Sequence, residues 1–299
     1  MVTEPRPQTG LKLGLISLVL VTVALVGVFL FGPKPEGAPT PMNAQATAAL
    51  LDQLQDTPTR SAVEALRAAS PATFTDLMQT TRFAIADGAT DEALAQLVLE
   101  ALFSQFQAQA LSLRSARSSD YQAIISGFAQ GLGQLKTHQS AWCDGATIAA
   151  FLTQNEEDLV PSLLSEFPYQ SPQYDWAMEW MVTVLSAMKQ GQDSAQRHPR
   201  PGARDEAILQ QTGLALGSEQ WALALQIAAF ANAEGTSYGQ MQEVIAGLDV
   251  CELGIAVETV SGRLPRDVRA RIWADLMPEI MVGNTPYVMY RVTDYFFIG

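Results

Sequence analysis

Residues 91–116 read DEALAQLVLEALFSQFQAQALSLRSA, and their spacing sets the fold class. Leu94, Leu97, Val98, Ala101 and Leu102 recur at steps of three and four, while Glu92, Gln96 and Glu100 take the opposite face. That is the period of an amphipathic helix. Thr90 stands where an N-cap belongs, and Asp91 and Glu92 bring negative charge to the positive end of the helix macrodipole. A second stripe runs through Asp175–Met188, where Ala177, Trp180, Met181, Val184, Leu185 and Met188 form a broad apolar band. A band that wide marks a central helix.

Outward from these two segments the same punctuation returns. Thr57-Pro58, Ser70-Pro71 and Ser171-Pro172 each set a capping residue before a proline suited to a first helical turn. Further helices are predicted over about 43–55, 58–69, 71–87, 120–137, 144–154, 161–166, 203–215, 218–233, 237–256 and 266–281. Strand-like alternation is nearly absent. The one exception is Tyr287–Ile298, YVMYRVTDYFFI, whose aromatic and β-branched residues suit a strand or a short helix. The expected fold is therefore all-α, a multi-helix globular or solenoid-like domain, with two lobes possible and a boundary near 167–173 or 191–202.

Ahead of this domain lies an uncharged apolar run of 19 residues, Leu13–Phe31. As a helix it extends about 28 Å, close to the hydrocarbon thickness of a bilayer. Four prolines within PKPEGAPTPM, residues 33–42, make a stiff spacer behind it. Arg6, Lys12 and the amino terminus precede the run and only Lys34 follows closely, a bias that puts the amino-terminal side in the cytoplasm. The expected order is a cytoplasmic tail at 1–12, a transmembrane helix at 13–32, a linker at 33–42 and an exported helical domain at 43–299. In a bacterium that means a single-pass inner-membrane protein with a periplasmic domain.

Eighteen Lys and Arg stand against 31 Asp and Glu, a formal net charge of −13. Nucleic-acid binding depends on phosphate neutralisation, so this balance excludes a nucleic-acid partner. Two cysteines allow one pairing, Cys143–Cys251, the alternative being two buried thiols. Such a bridge would be worth roughly 4–5 kcal/mol in the chain-entropy account. With no Cys/His cluster at ligand spacing, neither metal nor cofactor is expected.

Two surfaces suggest themselves for partner contact. The aromatics Tyr287, Tyr290, Tyr295, Phe296 and Phe297 suit an interface, or alternatively fold back onto the domain's own core. Arg197, His198 and Arg200 concentrate positive charge on an acidic chain and suit an acidic partner or polymer. Only two histidines occur, and no nucleophile–base motif accompanies them. The expected function is thus a membrane-anchored scaffold or accessory subunit of an envelope complex, with a protein as its partner. The alternative is an envelope hydrolase acting on glycan, which needs two carboxylates of opposite environment about 5–10 Å apart in a groove. A third reading, a small ligand held within the bundle, needs a closed apolar cavity.

Overall fold

The computed structural model describes residues 56–151, 167–194, 196–217 and 246–282, with 284, 287, 288, 291, 292 and 295 beyond them. Among these residues the fold is all-α, with nine helices and no strands. They are α1 (Thr57–Ala69), α2 (Pro71–Ala86), α3 (Asp91–Gln109), α4 (Ser118–Thr137), α5 (Gly145–Phe151), α6 (Pro172–Asp193), α7 (Ala203–Leu214), α8 (Val250–Arg263) and α9 (Arg266–Met281). Short 3-10 segments, Ala110–Ser115 and Ala141–Cys143, follow α3 and α4. The apolar run Leu13–Phe31 lies outside the described residues. Within them, no helix is long and apolar enough to cross a membrane.

The helix starts follow the capping chemistry. The Asp56 carboxylate accepts from the Thr59 N–H at 2.9 Å, Thr90 Oγ1 from Ala93 at 3.3 Å, and Ser171 Oγ from Tyr174 at 3.1 Å. Each satisfies one of the backbone donors that a helix start leaves unpaired. One predicted helix has different bounds. The span 237–256 was expected to be continuous, but α8 begins afresh at Val250, because Asp249 caps it through the Glu252 N–H at 2.8 Å. The long pattern at 91–116 also divides. Its last turn tightens into the 3-10 segment, where the Ser112 hydroxyl donates to the Gln109 carbonyl at 2.7 Å.

Helix α4 lies between α6 and α8, and α6 packs in turn on α1. The α4–α6 pair is antiparallel. Trp176 Nε1 donates to the Gly127 carbonyl at 2.8 Å, and Trp180 Nε1 donates to the Ile124 carbonyl at 3.0 Å. A buried indole N–H needs such a partner. The two rings fit because α4 carries glycine where they land. A Cβ on Gly131 would fall inside the Trp176 indole. At the other end of α6, a Cβ on Gly191 would strike the Ser112 carbonyl. These two close approaches set the spacing of the central helices.

One apolar core runs through all of this, from Ala62 in α1 to Tyr295, and includes Phe106, Tyr121, Trp180, Val184, Leu253 and Trp273. It is continuous across both 167–173 and 191–202. A smaller cluster of Leu132, Leu135 and Cys251 lies against Phe128, Trp142 and Cys143. There the end of α4 is fastened to the start of α8. Cys143 and Cys251 are joined with their Cα atoms 4.9 Å apart, and the Gly145 N–H donates to the Leu248 carbonyl at 2.9 Å.

The bundle therefore has two ends. The disulfide end holds the close of α4 and the starts of α1, α6 and α8. The far end holds the start of α4, the close of α6 and the corner between α8 and α9. Twenty residues of α4 separate them, about 30 Å.

Candidate functional site

The C-terminal aromatics resolve into a polar cluster on α9. Asp275 projects from the middle of that helix and receives three donors. Arg291 Nε stands 2.9 Å from Oδ2, the Tyr295 hydroxyl donates to Oδ2 at 2.7 Å, and the Tyr287 hydroxyl donates to Oδ1 at 2.9 Å. The Arg291 guanidinium also lies 4.6 Å from the centroid of the Tyr295 ring. From α7, Gln210 Nε2 donates to the Tyr295 carbonyl at 2.7 Å. The Arg291 and Asp275 side chains are only 13% and 9% exposed.

Burial alone would push the Asp275 carboxyl up. The hydrogen bonds from Arg291, Tyr295 and Tyr287 outweigh it and hold that carboxyl below the usual carboxylate range. Burial and then Asp275 raise the phenols of Tyr295 and Tyr287. The charged carboxylate is thus saturated with donors, and both phenols stay protonated. That chemistry holds a chain segment in place; it leaves no group poised to transfer a proton. Tyr295 is buried and contributes its ring to the domain's own core, while Tyr287 is half-buried. Tyr290, Phe296 and Phe297 lie outside the described residues.

The second predicted surface is at the far end. Arg197 and Arg200 are exposed. His198 is half-buried, and its Nε2–H donates to the Ala116 carbonyl at 2.8 Å, with the imidazole edge-on to Tyr121. The histidine therefore pins the loop to the turn before α4, leaving its two arginine neighbours outward.

Carboxylates converge in three places among the described residues. Asp205 and Asp267 share Arg271, which holds Asp205 through two bonds of 2.7 and 2.9 Å and Asp267 at 2.8 Å. The Arg271 guanidinium keeps Asp205 below its ordinary range. Asp249 and Glu252 share Lys136 at 3.0 and 3.1 Å. Near the start of α6, burial and then Asp56 raise Asp175, but Asp56 is engaged as the cap of α1, bonded to Thr59. In two of these pairs a cation sits between the acids, and in the third one member is a helix cap. An acid in an apolar pocket facing a free base across a groove is a different arrangement. No group of three or more potential metal ligands occurs among the described residues.

Two spaces lie between helices among the described residues. An apolar cavity of about 50 Å³ lies between α4, α6, α8 and α9, bordered by Ile125, Phe128, Val257, Trp273 and Met277. It is too small for an ordinary metabolite, whose sites run from roughly 300 Å³ upward. A shallow groove of about 430 Å³ crosses α6 between α1 and α4. Its floor is small and apolar at Ala65, Ala68, Ala123 and Val182, and the charges at its rim pair with one another, Arg117 with Asp120 and Lys189 with Asp193.

The sequence reading missed Asp275 as the centre of the aromatic cluster, and it missed Arg263, Arg266 and Arg269. The first had no local signal, since its partners lie 12, 16 and 20 residues along the chain. The second had one: arginines recur every three residues in RLPRDVR, residues 263–269, across the corner between α8 and α9. No family model matches the chain, and no curated protein or solved structure matches it.

Proposed function

We propose that this protein is a single-pass, membrane-anchored helical scaffold or accessory subunit of an envelope complex, acting through protein–protein contact. Its domain would stand in an extracytoplasmic space, periplasmic in a bacterium. The observation that carries the reading is a combination: a bilayer-length apolar run at Leu13–Phe31 and a cysteine pair at bonding distance in the domain that follows. Disulfides persist in oxidising compartments, and a domain delivered across a membrane by a preceding anchor reaches such a compartment. The proline spacer at 33–42 supports it by setting the domain off from the lipid. Most of the acids described above, Asp56, Asp205, Asp249, Glu252, Asp267 and Asp275, support contact over chemistry, because they are engaged in ion pairs and caps that brace helices.

Two measurements test the proposal. Protease added to spheroplasts should digest the domain, and the chain should remain in the membrane fraction until detergent is added. Affinity purification in mild detergent should then yield a stoichiometric companion. Release as a soluble monomer on gentle lysis, or full protection from the added protease, would overturn the reading.

A further inference from the structure

Positive charge on this acidic chain is gathered at one place. The segments 114–120, 196–206 and 263–271 contain nine of the eighteen Lys and Arg and only four of the 31 Asp and Glu. The fold brings the three together at the far end of the bundle. His198 is bonded to the Ala116 carbonyl, Arg269 Nε donates to Ser118 Oγ at 3.0 Å, and Arg271 clasps Asp205. The loop before α7 and the α8–α9 corner thus meet around the start of α4.

Pairing separates this end from the rest. The six described cations elsewhere each have a carboxylate or an aromatic ring: Arg60, Lys136, Lys189 and Arg291 are in ion pairs, and Arg67 and Arg82 lie over Phe74 and Phe83. At the far end, six arginines have neither among the described residues: Arg197, Arg200, Arg204, Arg263, Arg266 and Arg269. Five are exposed. Arg269 is half-buried and meets only neutral acceptors, Ser118 Oγ, Gln122 Oε1 and the Ser261 carbonyl. Three of the four carboxylates in these segments are already taken, Asp120 by Arg117 and Asp205 and Asp267 by Arg271. At the same end of the bundle, Leu111 is 63% exposed on the 3-10 segment whose Ser112 carbonyl packs against Gly191 at the close of α6.

We infer that the far end of the bundle is a docking surface for an acidic segment of a partner protein, whose Asp and Glu side chains are received by these six arginines while Leu111 supplies an apolar contact. The inference deepens the scaffold reading by giving the partner's chemistry. All nine cations of the three segments are arginine, whose planar fork receives a carboxylate through two parallel bonds. An exposed leucine beside charged residues suits a peptide segment, since protein interfaces combine an apolar centre with a polar rim. An extended anionic plane fits less well. Outside these segments the chain carries nine Lys and Arg against 27 Asp and Glu, so a charged bilayer would also face a repelling body. The far end also lies a helix length from Asp56, through which the chain leads back toward the apolar run.

The test uses the full chain in non-ionic detergent micelles and a fluorescent peptide of glutamates with interspersed leucines. Fluorescence anisotropy should show binding that weakens as sodium chloride is raised. Combining Arg197→Ala, Arg200→Ala, Arg263→Ala and Arg266→Ala should weaken it at least tenfold with unchanged thermal melting, since all four are exposed and none is in an ion pair among the described residues. Arg60→Ala with Arg82→Ala should leave it unchanged. Absence of peptide binding, equal affinity of the fourfold variant, or capture by phosphatidylglycerol vesicles in preference to the peptide would each overturn the inference. Retention of the co-purifying companion by the fourfold variant would overturn this surface alone and leave the scaffold reading standing.

Discussion

Two glycines in α4, two residues apart, should respond to the same substitution in opposite directions. Replacing a helical glycine by alanine stabilises by up to about 1 kcal/mol, because alanine loses less backbone freedom on folding. At Gly133 nothing lies within 4 Å of the added Cβ, so Gly133→Ala should gain most of that amount. At Gly131 the Cβ would overlap the Trp176 indole. Either the ring or the α4–α6 crossing must move, and overpacking of that kind costs typically about 1–3 kcal/mol. Displacing the ring also breaks its 2.8 Å bond to the Gly127 carbonyl, and leaving a buried donor unpaired costs about 1–3 kcal/mol. The steric and polar losses exceed the propensity gain, so Gly131→Ala should be net destabilising by about 2–4 kcal/mol. At about 2–4 °C per kcal/mol for a domain of this size, Tm should fall by roughly 4–16 °C in one variant and rise by about 1–3 °C in the other. Far-ultraviolet circular dichroism melts would measure both. A double-mutant cycle with Trp176→Ala sharpens the test, since without the ring the Gly131 substitution should become neutral or stabilising. Equal shifts of one sign at the two glycines would refute the packing of Trp176 against α4.

The disulfide should be worth most of the roughly 4–5 kcal/mol expected for a loop of 108 residues, so reductant or Cys251→Ser should lower Tm markedly; melting that ignores reductant would exclude the bridge. Asp275→Asn leaves the Arg291 cation buried against a neutral amide and should destabilise by about 3 kcal/mol in denaturant titrations. The Asp275 and Asp205 carboxyls lie below their unfolded range, so their contribution is complete above about pH 4 and lost as pH falls through the folded values. The Asn variant should accordingly show a flatter decline of Tm with acid, and parallel acid limbs would argue against that assignment. Val257→Ile adds one methylene beside the 50 Å³ cavity and should raise Tm slightly, by the equivalent of up to about 1 kcal/mol, whereas a clear loss would mean that the space is filled.

How far the fold could be read from sequence depended on the range of the interactions. Periodicity and caps are local, so α1, α2, α7 and α9 begin and end within a residue of their expected bounds. The misplacement of α8 has a different origin. An unbroken apolar pattern through 237–256 outweighed the single capping aspartate, Asp249, whose role becomes plain only with Leu248 bonded back to Gly145. The 3-10 turn at Ala110–Ser115 is likewise set by a partner, the glycine of α6 that lets Ser112 approach. The aromatic tail offered a choice of strand or helix, and its described residues 287, 288, 291, 292 and 295 are helical, spaced so that Tyr287, Arg291 and Tyr295 fall on one face toward Asp275. Positions i, i+4 and i+8 share a face in a strand as well as in a helix, but they span about 12 Å in a helix and about 26 Å in a strand, so only the helix brings all three to one carboxylate on α9.

The same reasoning explains why the surface at the far end was only half legible. Local charge counting finds Arg197 and Arg200, because no acid occurs between Asp193 and Asp205. It cannot find that Arg263, Arg266 and Arg269 join them, because that follows from the antiparallel pairing of α8 with α4, seen in the Gln122–Glu258 and Gln122–Ser261 bonds. Nor can it separate a cation with a partner from one without. Arg271 reads like its neighbours in RLPRDVRAR, residues 263–271, yet it is the one clasped by Asp205 and Asp267. That ion pair closes α7 onto α9 and so holds the loop at 196–202 beside the corner. One arginine of the run is used to build the surface, Arg269 braces the corner against Ser118, Gln122 and Ser261, and Arg263 and Arg266 face out, the division expected where a rigid core presents charge to something outside the fold.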